Sequence, residues 1–324
     1  MKTIIIKLFL LFVLVYASIS LLSLFTREEL DPDNYLAATI DKHERLNSLQ
    51  SPKIIFVGDS SLVFGLDAKR IEEELHMPVS NMGLHAALGL EFTFRELGDT
   101  IHKNDVVVLV SHYYPNDEDI NQGVICHTLD FYPSLKQKIV HNPLDGIRLD
   151  IMCNIKRMRR YLVIKHAQLV SSSLDTVTST TDVSPAVFQY ARSSFTPYGD
   201  IVDILYEHSE VHADASSPDM VRTSQHQTMS DIRAFSTYVH KQGAFLYFVY
   251  PPYPESKYAQ NVDRIGMFAD MLQHDTDMKI LGVPRDTVFS DELFFNSDYH
   301  VTSFGKREYT DKVIELLENI IVEK

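Results

Sequence analysis

From Leu8 to Phe25 the chain carries no charged residue, and this apolar run constrains everything that follows it. About 20 apolar residues cross a bilayer core as a helix. Thr3–Ile6 extends the run beyond Lys7, whose methylene stem reaches back to the headgroups. Lys2 and Lys7 precede the run, while Glu28, Glu29, Asp31 and Asp33 follow Arg27. Positive charge stays on the cytoplasmic side, so the rest of the chain is expected outside it. The alternative is a cleaved signal, for which Ala17-Ser18-Ile19-Ser20 offers small residues. The apolar run continues past them, however, beyond the roughly 7–15 residues of a cleavable segment. Residues 1–26 are therefore read as a membrane anchor. Either reading exports the remainder, where Cys126 and Cys153 form a disulfide or stay as two buried thiols.

Set against that anchor, the remaining composition is ordinary. Of 324 residues, 45% are hydrophobic and 23% charged, which excludes wholesale disorder. Mean hydropathy is −0.09, which excludes a polytopic membrane protein. The formal net charge of −14 argues against a nucleic-acid partner, since counterion release needs a basic surface. Two cysteines exclude a disulfide-stapled scaffold and a four-cysteine zinc site.

Residues 27–50 are polar and are expected to form a linker running into a short helix. Lys53–Val57 then reads as a buried parallel strand closed by Gly58. Leu66–Leu75 reads as a helix, Pro78–Asn81 as a strand, Leu88–Lys103 as a helix and Asp105–Val110 as the clearest buried strand. That alternation predicts a parallel sheet with right-handed crossovers. The pattern lapses over residues 116–215, which are expected to be a mainly helical insertion. Within it lie a basic helix over Pro143–Val170 and a polar loop over Ser171–Asp182. The α/β pattern resumes with a helix over Met220–Gln242 and a strand over Ala244–Tyr250. A helix over Glu255–His274, a strand over Lys279–Val283 and a helix over Ser303–Val322 complete it. The expected organisation is thus one α/β domain over 51–324, carrying the insertion.

In open α/β sheets, sites lie beyond the carboxyl ends of the strands. After the first strand stands Gly58-Asp59-Ser60-Ser61. A serine there projects its hydroxyl at a helix N-terminus, which suits a nucleophile; the plainer reading is that Asp59, Ser60 and Ser61 cap the next helix. After the second strand, Asn81-Met82-Gly83-Leu84-His85-Ala86 offers backbone N–H groups to the same cleft, or is a simple turn. After the third come Ser111-His112-Tyr113-Tyr114-Pro115-Asn116-Asp117. Before the last helix, Asn296-Ser297-Asp298-Tyr299-His300 places a histidine and a carboxylate where a serine at the first strand's end is within reach. Neither cofactor nor metal is expected: no GxxxxGK[ST] or HExxH occurs.

Gly58-Asp59-Ser60, the Asn81-x-Gly83 segment and the acid/histidine pair before the terminal helix together resemble the SGNH (GDSL-type) hydrolase superfamily. The strand Ala244–Tyr250 with Phe294–Gly305 resembles its membrane-anchored bacterial branch, associated with O-acylation of envelope polysaccharides. The resemblance covers roughly residues 51–115 and 220–322. It implies a flavodoxin-like three-layer α/β sandwich with a mostly parallel sheet. It implies Ser60 as nucleophile, His300 as general base, and oxyanion donors at Ser60 and at Ala86 or Gly83. The family's third donor, an asparagine, has only Asn116 as a late counterpart here. The family's acid commonly stands three residues before the histidine, which is Ser297; the anchored relatives' spacing falls on Asn296. Asp298 is the nearest carboxylate and is taken as the third member, with Asn296 as the alternative orienting residue.

The resemblance implies a membrane-tethered serine ester hydrolase or O-acyltransferase in a bacterial inner membrane. Its catalytic domain would face the periplasm or exterior, its substrate being an envelope glycan or lipid-linked ester and its partner an acyl-donor membrane protein. The alternative is a catalytically inactive glycan-binding or assembly protein of the same fold, its cleft lined by Tyr113, Tyr114, Tyr250, Tyr253 and Tyr299.

Overall fold

The computed structural model describes residues 2–24, 30–113, 120–174, 190–202, 218–276 and 278–321. In chain order the helices are α1 (Lys2–Leu24), α2 (Ala38–Ser48), α3 (Ser60–Gly65), α4 (Ala68–Leu75), α5 (Leu90–Leu97), α6 (Gln122–Phe131), α7 (Leu135–Ile139), α8 (Pro143–Leu174), α9 (Pro218–Lys241), α10 (Glu255–Asp275) and α11 (Ser303–Ile321). The strands are β1 (Ile54–Gly58), β2 (Val79–Asn81), β3 (Val106–Val110), β4 (Phe245–Val249), β5 (Tyr253–Pro254), β6 (Lys279–Leu281), β7 (Val288–Phe289), β8 (Phe294–Ser297) and β9 (His300–Val301). The chain divides into two compact units, residues 1–37 with 122–190, and residues 38–121 with 191–324.

In the larger unit a five-stranded sheet runs β2-β1-β3-β4-β6, and each neighbouring pair is parallel. The class is α/β with a mostly parallel sheet, as the alternation predicts. Successive residues of each strand point to opposite faces, and the core divides accordingly. Ile55, Val57, Val107, Leu109, Leu246 and Phe248 pack with Phe94 of α5, Ile232 of α9 and Phe268 of α10. Ile54, Phe56, Val106, Val108, Tyr247 and Val249 pack with Ile71 of α4 and Val313 of α11. Burial on both faces explains why these strands are unbroken apolar runs rather than alternating ones.

Strand order reverses between β1 and β3, which opens a crevice at their carboxyl ends. The chain leaving β1 turns at once into α3. Gly58 allows this because a Cβ there would overlap the carbonyl oxygen of Val110 on β3. The helix expected over Leu66–Leu75 is α4, beginning at Ala68, and the short helix α3 precedes it. Leu66 ends α3, its N–H donating to the Leu62 carbonyl, and Asp67 caps α4, accepting from the Arg70 N–H at 3.0 Å.

The segment expected as a linker into a short helix carries α2, whose Lys42, His43 and Leu46 are buried. Lys42 Nζ donates to the Asn81 carbonyl at 2.9 Å and to that of Gly199. His43 Nε2 lies 3.2 Å from Glu96 Oε2. Asp200, also buried, has Lys42 and Lys306 nearby; burial pushes its carboxyl up to about 6 and the Lys42 ammonium down to about 7. The Asp200 Oδ1 has no hydrogen-bond partner among the described residues.

In the smaller unit, Cys126 of α6 and Cys153 of α8 are joined as a disulfide, with Cα atoms 5.0 Å apart. Arg157 and Arg160 of α8 meet the Asp130 carboxylate on α6. Part of the basic stretch is therefore internal wiring. The helix runs on to Leu174, through the start of the polar loop expected at Ser171; residues 175–182 of that loop lie outside the described residues. α1 is long and apolar enough to cross a membrane, and none of its apolar window is buried.

Candidate active site

Ser60 is the first residue of α3, and its side chain does not cap the helix. Asp59 does that, accepting from the Ser61 N–H at 2.9 Å. The capping expectation and the nucleophile expectation thus fall on adjacent residues. The Ser60 hydroxyl instead meets His300 Nε2 at 2.9 Å, across 240 positions of sequence. At the first helical position the Ser60 backbone N–H has no intrahelical acceptor.

The β8–β9 hairpin presents the histidine. Phe294 pairs with Val301 and Ser297 with His300. Thr302 ties the hairpin back, its N–H donating to the Leu293 carbonyl at 2.8 Å before α11 begins. Across this turn the His300 Nδ1 meets Asn296 Oδ1 at 2.8 Å. With Nδ1–H donating there, Nε2 carries the lone pair and accepts from the Ser60 hydroxyl. The orienting contact is therefore made by Asn296, the alternative residue, and Asp298 does not occupy that place. Phe64, one helical turn after Ser60, stacks on the imidazole with centroids 4.0 Å apart and planes 20° apart. Sequence reading did not single out Phe64, although the i, i+4 spacing from Ser60 puts both on one helix face.

Burial pushes His300 down to about 3, and the neighbouring His112 and His85 add to the effect. A carboxylate partner would oppose this; an asparagine amide carries no charge to do so. Burial also lowers His85, against an opposing pull from Asp59.

Of the two expected turn donors, Gly83 donates its N–H to Asn81 Oδ1 at 3.0 Å. That contact shapes the turn, and Asn81 Nδ2 bolts it to the Leu62 carbonyl of α3 at 2.9 Å. Gly83 packs so tightly that a Cβ would come within 2.5 Å of Leu62 Cβ and 2.6 Å of the Asp59 carbonyl oxygen. Ala86 opens a short 3-10 turn, where its N–H has no intrahelical acceptor. It lines a cavity shared with Asp59, His85 and His112. Asn116, the late third donor, and Tyr114 lie outside the described residues.

His112 follows β3. Its backbone N–H donates to Asp59 Oδ2 at 3.0 Å. Its Nε2 lies 3.3 Å from Asp59 Oδ1 without making a hydrogen bond. The ring stacks on Tyr299, centroids 3.9 Å apart. Of the tyrosines expected to line the cleft, Tyr114 lies outside the described residues and the other four are placed otherwise. Tyr113, Tyr250 and Tyr253 are core residues, 0%, 3% and 3% exposed, and Tyr299 is spent on His112. Among the described residues, no group of three His, Cys, Asp or Glu side chains is arranged to hold a metal ion.

Comparison with protein-family models, curated proteins and solved structures found no match to this chain.

Proposed function

We propose that the chain is an exported, membrane-tethered serine ester hydrolase or O-acyltransferase of the SGNH type, acting on an envelope glycan or lipid-linked ester. The observation that carries this reading is the Ser60 Oγ–His300 Nε2 contact of 2.9 Å. It joins two distant motifs at the carboxyl edge of a parallel sheet, and the β2-β1-β3-β4-β6 order agrees with a flavodoxin-like arrangement. α1 supports the tether, and the charge asymmetry around it supports export with the catalytic unit outside the cytoplasm.

In this reading Ser60 Oγ attacks the ester carbonyl as its proton passes to His300 Nε2. The negative charge developing on the carbonyl oxygen is met by the N–H groups of Ser60 and Ala86, at the starts of two helical turns. Collapse breaks the bond to the alcohol, which leaves with the proton from His300. Water or a sugar hydroxyl then repeats the sequence in reverse on the acyl-Ser60 ester.

The second reading, a binding protein that does not turn over, is favoured by Asn296. It orients the imidazole without stabilising the imidazolium. Fluorophosphonate labelling of the purified chain separates the two. The serine-esterase reading expects one label per chain, lost in Ser60→Ala and in His300→Ala. An unlabelled, folded wild type overturns it in favour of the binding protein.

A further inference from the structure

Ser60 and His300 stand on separate segments, and both segments are tied to the two residues that follow β3. On the serine side the tie is Asp59. Its Oδ1 accepts from the Ser61 N–H at 2.9 Å and its Oδ2 from the His112 N–H at 3.0 Å. One buried carboxylate thus joins the first turn of α3 to the end of β3.

On the histidine side the tie is Tyr299, which precedes His300 in the turn of the β8–β9 hairpin. Its ring lies on the His112 imidazole, with centroids 3.9 Å apart and planes 16° apart. Its hydroxyl accepts from the Tyr113 N–H at 3.4 Å. The hairpin needs such a support. Its ladder holds only the pairs Phe294 with Val301 and Ser297 with His300, and a two-stranded hairpin is marginally stable by itself. Phe64 holds the face of the His300 ring; His112 holds the residue before it.

We infer that His112 is a positioning residue: bonded through its backbone to Asp59 and stacked on Tyr299, it keeps the hairpin that carries His300 within reach of the Ser60 hydroxyl. The inference rests on the serine-ester reading and adds to it a residue outside the Ser60, His300 and Asn296 relay. A misplacement of about 1 Å between reacting groups costs up to about 100-fold in rate, so loss of the stack should be felt at Ser60.

The test is the rate of fluorophosphonate labelling of the full chain in detergent. His112→Ala and Tyr299→Ala are each expected to slow labelling by about 10-fold or more. The double variant should be no slower than the slower single one, because both substitutions remove the same contact. His112→Phe keeps a flat ring on Tyr299 and should restore most of the rate. His112→Gln keeps a polar group beside Asp59 without the ring and should not. The comparison of Phe with Gln decides the matter should either alanine variant fail to fold. A wild-type rate in folded His112→Ala, losses that add in the double variant, or a Phe variant no faster than the Gln variant would overturn the inference and leave the nucleophile intact. Absence of labelling in the wild type would instead overturn the serine-ester reading beneath it.

Discussion

Asn296 is where a small change has the largest consequence for the chemistry. Asn296→Asp replaces the amide oxygen 2.8 Å from His300 Nδ1 by a carboxylate of nearly the same shape. An opposite charge at that range raises a histidine by about 1–3 pKa units, each worth about 1.4 kcal/mol. Position 296 is exposed, so water screens the pair and the lower part of that range applies. His300 should climb from about 3 to roughly 4–5. The same energy stabilises the imidazolium formed as Ser60 attacks, about 1.4–2.7 kcal/mol, or roughly 10- to 100-fold in rate.

The sign in pH follows directly. His300 accepts a proton only when neutral, so the wild-type rate should rise through about pH 3 and stay level above it. In Asn296→Asp the plateau should be higher and the acid limb should move alkaline by 1–2 units. The assay is the second-order rate of fluorophosphonate labelling between pH 3 and 8. Asp298→Asn serves as control and is expected to change neither plateau nor limb. A plateau that is unchanged or lowered in Asn296→Asp would refute the argument that His300 is the base and that a neutral partner limits it.

Further predictions concern the scaffold. Gly83→Ala places a methyl against Leu62 Cβ and the Asp59 carbonyl, which cannot both yield; labelling should fall at least 10-fold, with about 1–3 kcal/mol lost in denaturant unfolding. Asp200 is raised from 3.8 to about 6 in the folded chain, so it binds more protons folded than unfolded across that window. Its contribution is therefore fully present below about pH 4 and is lost as pH rises through about 6, by about 3 kcal/mol. Asp200→Asn should flatten that loss when wild type and variant are compared by urea unfolding at pH 4.5 and 7.5. Reduction, or Cys153→Ser, reopens a loop of sequence separation 27 and should lower the stability of the unit containing α6 and α8 by about 3.5 kcal/mol, seen as earlier proteolysis there.

The sheet was legible because its strands are buried on both faces, and Ile54–Gly58 and Val106–Val110 therefore stand out as continuous apolar runs. Ser60 and His300 were legible because α/β topology sends every parallel strand's carboxyl end to one edge, so two loops far apart in sequence face one crevice. Three features were hidden for a common reason: they are settled by contacts between segments that look alike in isolation. Asn296 and Asp298 sit on the same short hairpin, and only its pairing of Ser297 with His300 decides which one faces the imidazole. Tyr113, Tyr250 and Tyr253 follow strand ends as cleft residues do, yet they fill core volume beneath α10. α2 has the polar composition of a linker, but its Lys42 finds acceptors on two other loops.

That last case bears on the chemistry as well as the fold. Lys42 holds the Asn81 carbonyl, and the Asn81 side chain reaches both the Leu62 carbonyl of α3 and the Gly83 N–H. Gly199, whose carbonyl accepts a second hydrogen bond from Lys42, has room only for a hydrogen where it meets the Asn81 carbonyl. Three segments thus converge on one asparagine, which is bonded to Leu62 of the helix that Ser60 opens. An oxyanion donor acts only if it is already aimed when charge develops, and a backbone N–H has no side-chain freedom with which to correct an error. In the proposed mechanism, the aim of the Ala86 N–H relative to Ser60 would be set by how firmly the β2 turn is fastened to α3. A buried lysine, costly in itself, is what fastens the outer side of that turn.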